Sequence, residues 1–355
     1  MGNNQTIGRN QKRERDIVIT LVHIFGMIMI LFCYIFQKIG LYALGEICII
    51  GVPLFFFVSG YLCGRKPINN SGKWLLKKAL RVLLPYLLFV WCVFAIHEIA
   101  NTEEVSLYQW LVSSSCLHGI YNYAYWRMDL LGIHYAAVPG TGHFWYVTII
   151  MLCYLMTPLL QKFRETSLNR VGKILVTLAA IALMCGTIFL GFQLAYFLIY
   201  TAGFFTGAKK VRTDGKYYII ITCLMIVITF LRFLLKVWID GSDFYDRTFV
   251  LINNGVLAIW LFYTAYFLQS KMPKVFSVFN VGVVHFFEKI SYFVYLTHYI
   301  FLQGGLATTN YISNIPLAIL VAMLLTFVTA VTLWVITDKL IPLLFQKQQN
   351  KLNDK

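Results

Sequence analysis

Three histidines, a carboxylate and a basic cluster stand inside or beside long apolar runs: His23, His143, His298, Glu46, and Lys77, Lys78 and Arg81. Histidine is the side chain best suited to exchanging protons near neutrality. His298 lies near the middle of "EKISYFVYLTHYIFL" (288–302), with Tyr295 three and Ser291 seven positions before it, on one helical face. An ionisable group at that depth marks a functional site by default, and the alternative is a neutral imidazole bonded to a neighbouring helix. His143 opens "GTGHFWYVTIIMLCYLMTPLL" (140–160) beside Trp145 and Tyr146. It belongs either to an aromatic belt or to a cavity onto which its flanking glycines expose the ring. His23 and Tyr34 are eleven residues apart, three helical turns, so they share a face roughly 16 Å apart along the axis. Glu46 is expected to be a buried carboxylate that lines a cavity or is protonated. Together these groups suit general acid–base work.

The cations suit a different task. In "GKWLLKKALRVLLPYLL" (72–88), Lys78 and Arg81 share a helix face and Lys77 adjoins them. Such a cluster anchors anionic lipid head groups or binds a phosphate-bearing cofactor. Just upstream, "GVPLFFFVSGYLCGRK" (51–66) carries Gly51, Ser59 and Gly60, small residues that let another backbone approach closely. Pro53 can kink that helix, and Arg65-Lys66 ends it.

The elements that must position these groups are membrane helices. The 355 residues are 59% hydrophobic and 13% charged, which excludes an ordinary soluble domain. Ten apolar spans are expected, near 17–36, 43–63, 80–99, 143–162, 172–190, 192–208, 217–238, 248–268, 284–304 and 315–337. Alternate connections hold very different numbers of Lys and Arg. Lys38, Arg127, Arg232, Lys236 and Arg247 fall on one side, and the other 25 of the 30 fall opposite. That asymmetry predicts an all-α, multi-pass protein with both termini in the cytoplasm. It also explains the net charge of +15 without nucleic acid. The outside segment 100–142 holds Glu103, Glu104, Asp129, Trp110 and Trp126, and reads as an interfacial or cavity-lining loop. The eight cysteines show no metal-ligand spacing and read as small buried hydrophobes, with no disulfide framework and no metal site. No internal repeat is visible. The first apolar run is too long, and lacks the small-residue site, for a cleaved signal.

In order and spacing, four segments resemble the acyltransferase-3 family of polytopic membrane acyltransferases. "GVPLFFFVSG" is similar to that family's "GVxLFFxLSG", and "KKALRVLLPYLL" to its basic motif followed by Pro-Tyr. "GHFWYVTIIMLCYLMTP" is similar to its "GHLWFL…YLxxP", and "ISYFVYLTH" to its "ISYxxYLxH". The resemblance covers essentially the whole chain and implies one domain over 1–345, including the 100–142 loop, with a cytoplasmic tail at 346–355. It implies transfer of an acyl group, most often acetyl, from cytoplasmic acetyl-CoA to a sugar of an exopolysaccharide or other surface glycan. Lys77, Lys78, Arg81, Ser59 and Gly60 would hold the donor, the last two by admitting its acyl arm between spans two and three. His143 or His298 would be the base, with Glu46 raising its basicity, and His23 or Tyr34 would orient the acyl group or donate to the oxyanion. The implied partners are a surface glycan or lipid-linked sugar and membrane lipids, in the plasma membrane; a homo-oligomer is compatible. The chain departs from the pattern where the family's first helix carries Arg and then His: His23 and Tyr34 stand there. Its basic motif is Lys-x-x-Arg, which loses one bidentate fork. A glycan transporter without acyl-transfer chemistry, or a member that has lost catalysis, are the alternatives.

Overall fold

The computed structural model describes residues 16–100, 105–117, 140–166, 195–239 and 249–340, with isolated residues between 171 and 182 and residue 342. All regular elements among them are helical. In chain order they are α1 (Ile17–Lys38), α2 (Tyr42–Cys48), α3 (Gly51–Gly64), α4 (Ser71–Ala100) and α5 (Leu107–Ser114). There follow α6 (Trp145–Glu165), which a 3-10 turn at Gly142–Phe144 leads into, α7 (Ala195–Gly207) and α8 (Gly215–Ile239). The last are α9 (Leu251–Lys271), α10 (Pro273–Val278), α11 (Gly282–Leu302) and α12 (Ile315–Val335), which continues into a π turn at Ile336–Leu340.

Seven helices among the described residues are long and apolar enough to cross a membrane: 17–38, 42–64, 71–99, 142–165, 215–236, 251–271 and 315–339. Two more expected spans correspond to α7, of which 13 residues are helical here, and to α11, whose apolar run is interrupted by Glu288 and Lys289. The 172–190 span lies mostly outside the described residues. Span two is one rod in two pieces. The break falls at Ile49 and Ile50, and Pro53 stands in the first turn of α3, where its missing N–H costs least.

Among the described residues the tightest packing is α3 against α7, and glycine causes it. A side chain on Gly60 or Gly64 would run into the backbone of Tyr200 or Phe204, and one on Gly203 or Gly207 into that of Phe57 or Tyr61. Two G-x-x-x-G faces therefore meet backbone to backbone, the geometry that drives helix association where lipid removes the usual hydrophobic gain. The core that grows around this pair takes in Phe56, Phe57, Tyr200, Phe204 and Phe262, all fully buried. α1 packs on α2, α3 and α11, α11 on α12, and α4 on α6. α1, α3, α4, α6 and α11 are thus held together, and they carry most of the groups that matter chemically.

Candidate active site

At the N-terminal end of α1 the helices enclose a cavity of about 820 Å³. α4 delivers Lys78 and Arg81 to it, α1 delivers Thr20 and His23, α3 delivers Phe55 and Ser59, and α11 delivers Glu288 and Ser291. Five cations line it (Arg65, Lys66, Lys78, Arg81, Lys289) against three carboxylates (Asp16, Glu288, Asp338). The Lys78 ammonium is held over the Tyr154 ring at 4.7 Å and the Trp74 ring at 5.6 Å, so aromatic faces fix its charge at the cavity wall. Glu288 gathers three neighbours: Thr20 Oγ1 donates to it at 3.0 Å, His23 Nδ1 lies 4.0 Å away and His285 Nδ1 3.8 Å. His23 also stacks on Phe55 at 5.7 Å. At the rim, Arg65 pairs with Asp16 at 3.7 Å, and Asp16 accepts from Tyr266 Oη at 2.5 Å.

Further along the same helices lies a second cluster of a different kind. His143 is 1% exposed and His298 fully buried, with ring centroids 5.0 Å apart. Tyr34 sits 5.0 Å from His298, and Tyr299 stacks on His143 at 4.9 Å while presenting its face or edge to Tyr34 at 4.9 Å. Tyr295 Oη donates to the His143 carbonyl. Both imidazoles point one nitrogen at a backbone carbonyl of α11: His298 Nδ1 at Tyr295 O, 2.7 Å, and His143 Nε2 at Leu296 O, 3.0 Å. A carbonyl can only accept, so each of those nitrogens carries its hydrogen, which fixes the tautomers. The consequence for His298 is specific. Its Nε2 bears the lone pair, is buried, and has no hydrogen-bond partner among the described residues. Tyr146 joins the two regions: it lines the cavity, and its ring lies 4.9 Å from that of Tyr295.

The expected residues divide accordingly. Lys78, Arg81, Ser59 and His23 line the cavity, and His143, His298 and Tyr34 form the buried cluster. His23 and Tyr34 share a helix but belong to different sites, because three turns carry them past the cavity floor. Four expectations need correction. Lys77 is exposed and absent from the cavity wall, since one residue's rotation from Lys78 turns it outward. Gly60 faces α7 and not the opening between spans two and three, as its contact with the Tyr200 backbone shows, so of the Ser59-Gly60 pair only Ser59 looks into the cavity. Glu46 is not buried: its side chain is 54% exposed and pairs with Arg232 Nη2 at 3.5 Å, on a different helix from either histidine. The glycines flanking His143 close it in rather than opening it. Gly140 has φ +77° and stands where a Cβ would be 2.9 Å from Ile300, and Gly142 leaves room for the Tyr299 hydroxyl. Of the 100–142 loop, α5 is described, capped by a reciprocal Ser106–Gln109 box, with Trp110 against Trp91 and Phe94; Glu103, Glu104, Trp126 and Asp129 lie outside the described residues.

The sequence reading missed Glu288, Tyr146, Tyr299 and Arg65. Glu288 had a detectable signal, because 288, 291, 295 and 298 fall at i, i+3, i+7 and i+10 on one face of α11. Tyr146 and Tyr299 had none, since a tyrosine among so many aromatics carries no mark of its neighbours. Among the described residues, no group of three or more His, Cys, Asp or Glu is placed to hold a metal ion. A family model described as an acyltransferase domain matches residues 17–335. No curated protein and no solved structure matches the chain.

Proposed function

The chain belongs to the acyltransferase-3 family, and from that premise we propose that it moves an acetyl group from cytoplasmic acetyl-CoA to a hydroxyl of a cell-surface glycan, across ten membrane spans with both termini in the cytoplasm. The donor is a substrate of the basic cavity. Its phosphates would meet Lys78 and Arg81, with Arg65, Lys66 and Lys289 adding to the positive field. The volume of about 820 Å³ falls in the range of small-molecule sites. Ser59 and Tyr146 mark the inner wall toward which the acyl arm would run.

One observation carries the reading: a buried imidazole with its tautomer fixed and its lone pair uncommitted, His298 Nε2. That is the form a general base requires. In the proposed step His298 Nε2 takes the proton of the acceptor hydroxyl as that oxygen attacks the thioester carbonyl. It returns the proton to sulfur as the C–S bond breaks, so the products are the ester and the free thiol. The hydroxyl of Tyr34, beside His298, is a proton donor suited to the developing oxyanion. His143 is a positioning residue, packed against both His298 and Tyr299. The Tyr at the position where the family's first helix places His therefore need not abolish catalysis, because His298 stands 5.0 Å from it.

The test compares surface glycans from cells with and without the gene by mass spectrometry, alongside thiol release from acetyl-CoA by purified protein. Gene-dependent acetyl esters and gene-dependent thiol release are expected; absence of both would sink the proposal. A transporter would carry its substrate without either signal. No observation favours it, and the cavity shares no lining residue with the pocket at the opposite end of α1.

A further inference from the structure

That opposite pocket has a chemistry of its own. It measures about 620 Å³ and is lined by Gln37, Lys38, Tyr42, Glu46, Tyr299 and Gln303. Gln37 lies 14 residues beyond His23 on α1, about 21 Å further along the axis. Its mouth is open, with Tyr42 67% exposed. The two cavities differ in net charge. The first holds five cations against three carboxylates. Here the lining holds one cation, Lys38, and one carboxylate, Glu46, whose ion-pair partner is Arg232 at 3.5 Å. Such a wall lacks the excess of cations that marks the first cavity as a site for a multiply charged anion. Two amides, two phenols, an ammonium and a carboxylate instead offer donors and acceptors in quantity, which suits a ligand bearing many hydroxyls.

Tyr299 gives the pocket its relation to the buried histidines. One side of this residue lines the pocket. Its ring also lies on His143, at 4.9 Å and 29° between planes, and 4.9 Å from Tyr34. Tyr299 therefore touches both the pocket and the His143/His298 pair. A Cβ on Gly142 would come within 3.2 Å of the Tyr299 hydroxyl, so the glycine leaves room for the ring in that place.

We propose that this pocket binds the acceptor as a neutral, polyhydroxylated sugar segment, and that Tyr299 is the partition that must move aside for one hydroxyl to reach His298. The inference rests on the acyltransferase reading above. Its volume admits more than a single sugar ring, so the ligand is an oligosaccharide or the end of a chain. With Tyr299 in place, water is kept from the base; with a sugar seated against Gln37 and Gln303, the ring turns and hydroxyl replaces it.

The experiment uses membranes from cells expressing the full chain, which contain the native acceptor, supplied with isotopically labelled acetyl-CoA and, in parallel, succinyl-CoA. Two products are read: label in the released glycan, and free thiol. When Gln37→Leu and Gln303→Leu are combined, glycan label and thiol release are expected to fall together at least tenfold with the donor KM unchanged, since leucine keeps the bulk and removes the hydrogen bonds while Tyr299 still keeps water from the base. In Tyr299→Ala the thiol release is expected to rise several-fold while glycan label falls, because water enters. Unchanged glycan label in the double variant overturns the pocket assignment, and so does a loss accompanied by a raised donor KM or a lowered yield of folded protein, which would reflect donor binding or folding. Unchanged thiol release in Tyr299→Ala overturns the partition. If wild-type membranes form neither product from either donor, the acyltransferase reading itself fails, a result distinct from all of these.

Discussion

The basic cavity and the buried histidine cluster are built on the same helices, and they are physically opposite. α1 supplies His23 to one and Tyr34 to the other; α11 supplies Glu288 and then His298. In the cavity, charges face water: Arg65 is 44% exposed and Glu288 24%. In the cluster, His143 and His298 are sealed by tyrosines, with their N–H groups spent on backbone carbonyls. The difference teaches where each kind of chemistry can be done. A multiply charged substrate is best held where its own hydration is only partly lost, because full burial of charge costs several kcal/mol per ion. Proton transfer at a developing oxyanion gains most where water is excluded and dipoles are fixed in advance. A helix crossing a membrane can present both environments, a few turns apart.

The largest effect that would break this comparison belongs to the cluster. His298→Ala is expected to lower the turnover number by about 10²–10⁴, the usual contribution of a general base, with donor affinity far less affected. A loss smaller than tenfold, measured as acyl transfer at saturating donor, removes Nε2 from the mechanism.

The next effect belongs to the cavity and should look different in kind. Lys78→Ala combined with Arg81→Ala is expected to raise the donor KM by roughly 10- to 100-fold, since charge-assisted hydrogen bonds contribute about 1.5–3 kcal/mol each and these are partly screened. Wild-type donor KM should rise with ionic strength, and that slope should flatten in the double variant. An equal salt dependence in both would show that the phosphates are held elsewhere.

A smaller effect separates wall from packing. Ser59→Leu projects into the cavity and is expected to raise donor KM several-fold in protein of normal yield. Gly60→Leu, one residue on, meets the Tyr200 backbone and is expected to lower the yield of folded protein instead. Solubilised yield and donor kinetics on both variants decide this; identical behaviour would erase the distinction between the two faces of α3.

The smallest effect lies outside both regions and sets the baseline. Asp214 accepts from the Tyr217 backbone N–H at 2.9 Å, at the start of α8, and that bond holds its exposed carboxylate below the ordinary range. Its folded value is depressed, so the contribution is present above the unfolded carboxylate pKa and is lost as pH falls through the folded one. Asp214→Asn should weaken the acid-dependent fraying of this helix start while leaving transfer kinetics as they were. Amide exchange at Tyr217 across the acid range reads it; a change in donor KM would show that the loop reaches the cavity.

What the sequence by itself determined follows from short-range rules. Apolar run length made the helices, and small residues at four-residue spacing in "GYLCG" and "GFFTG" made their closest contact. Helical spacing likewise placed Lys78 with Arg81, and Tyr295 with His298, because neighbours three apart on a helix share a face wherever the helix goes. The partners across helices were a different matter. That Glu46 meets Arg232, that Gly60 turns to α7, that His143 is closed in by Tyr299, and that Glu288 gathers Thr20 and His23 depend on rotations of separate helices about their own axes. A membrane helix surrounded by apolar neighbours carries little pattern to announce which way it faces. Only the packed structure fixes that angle, and with it the division of one row of polar residues into a charged cavity and a dry pair of histidines.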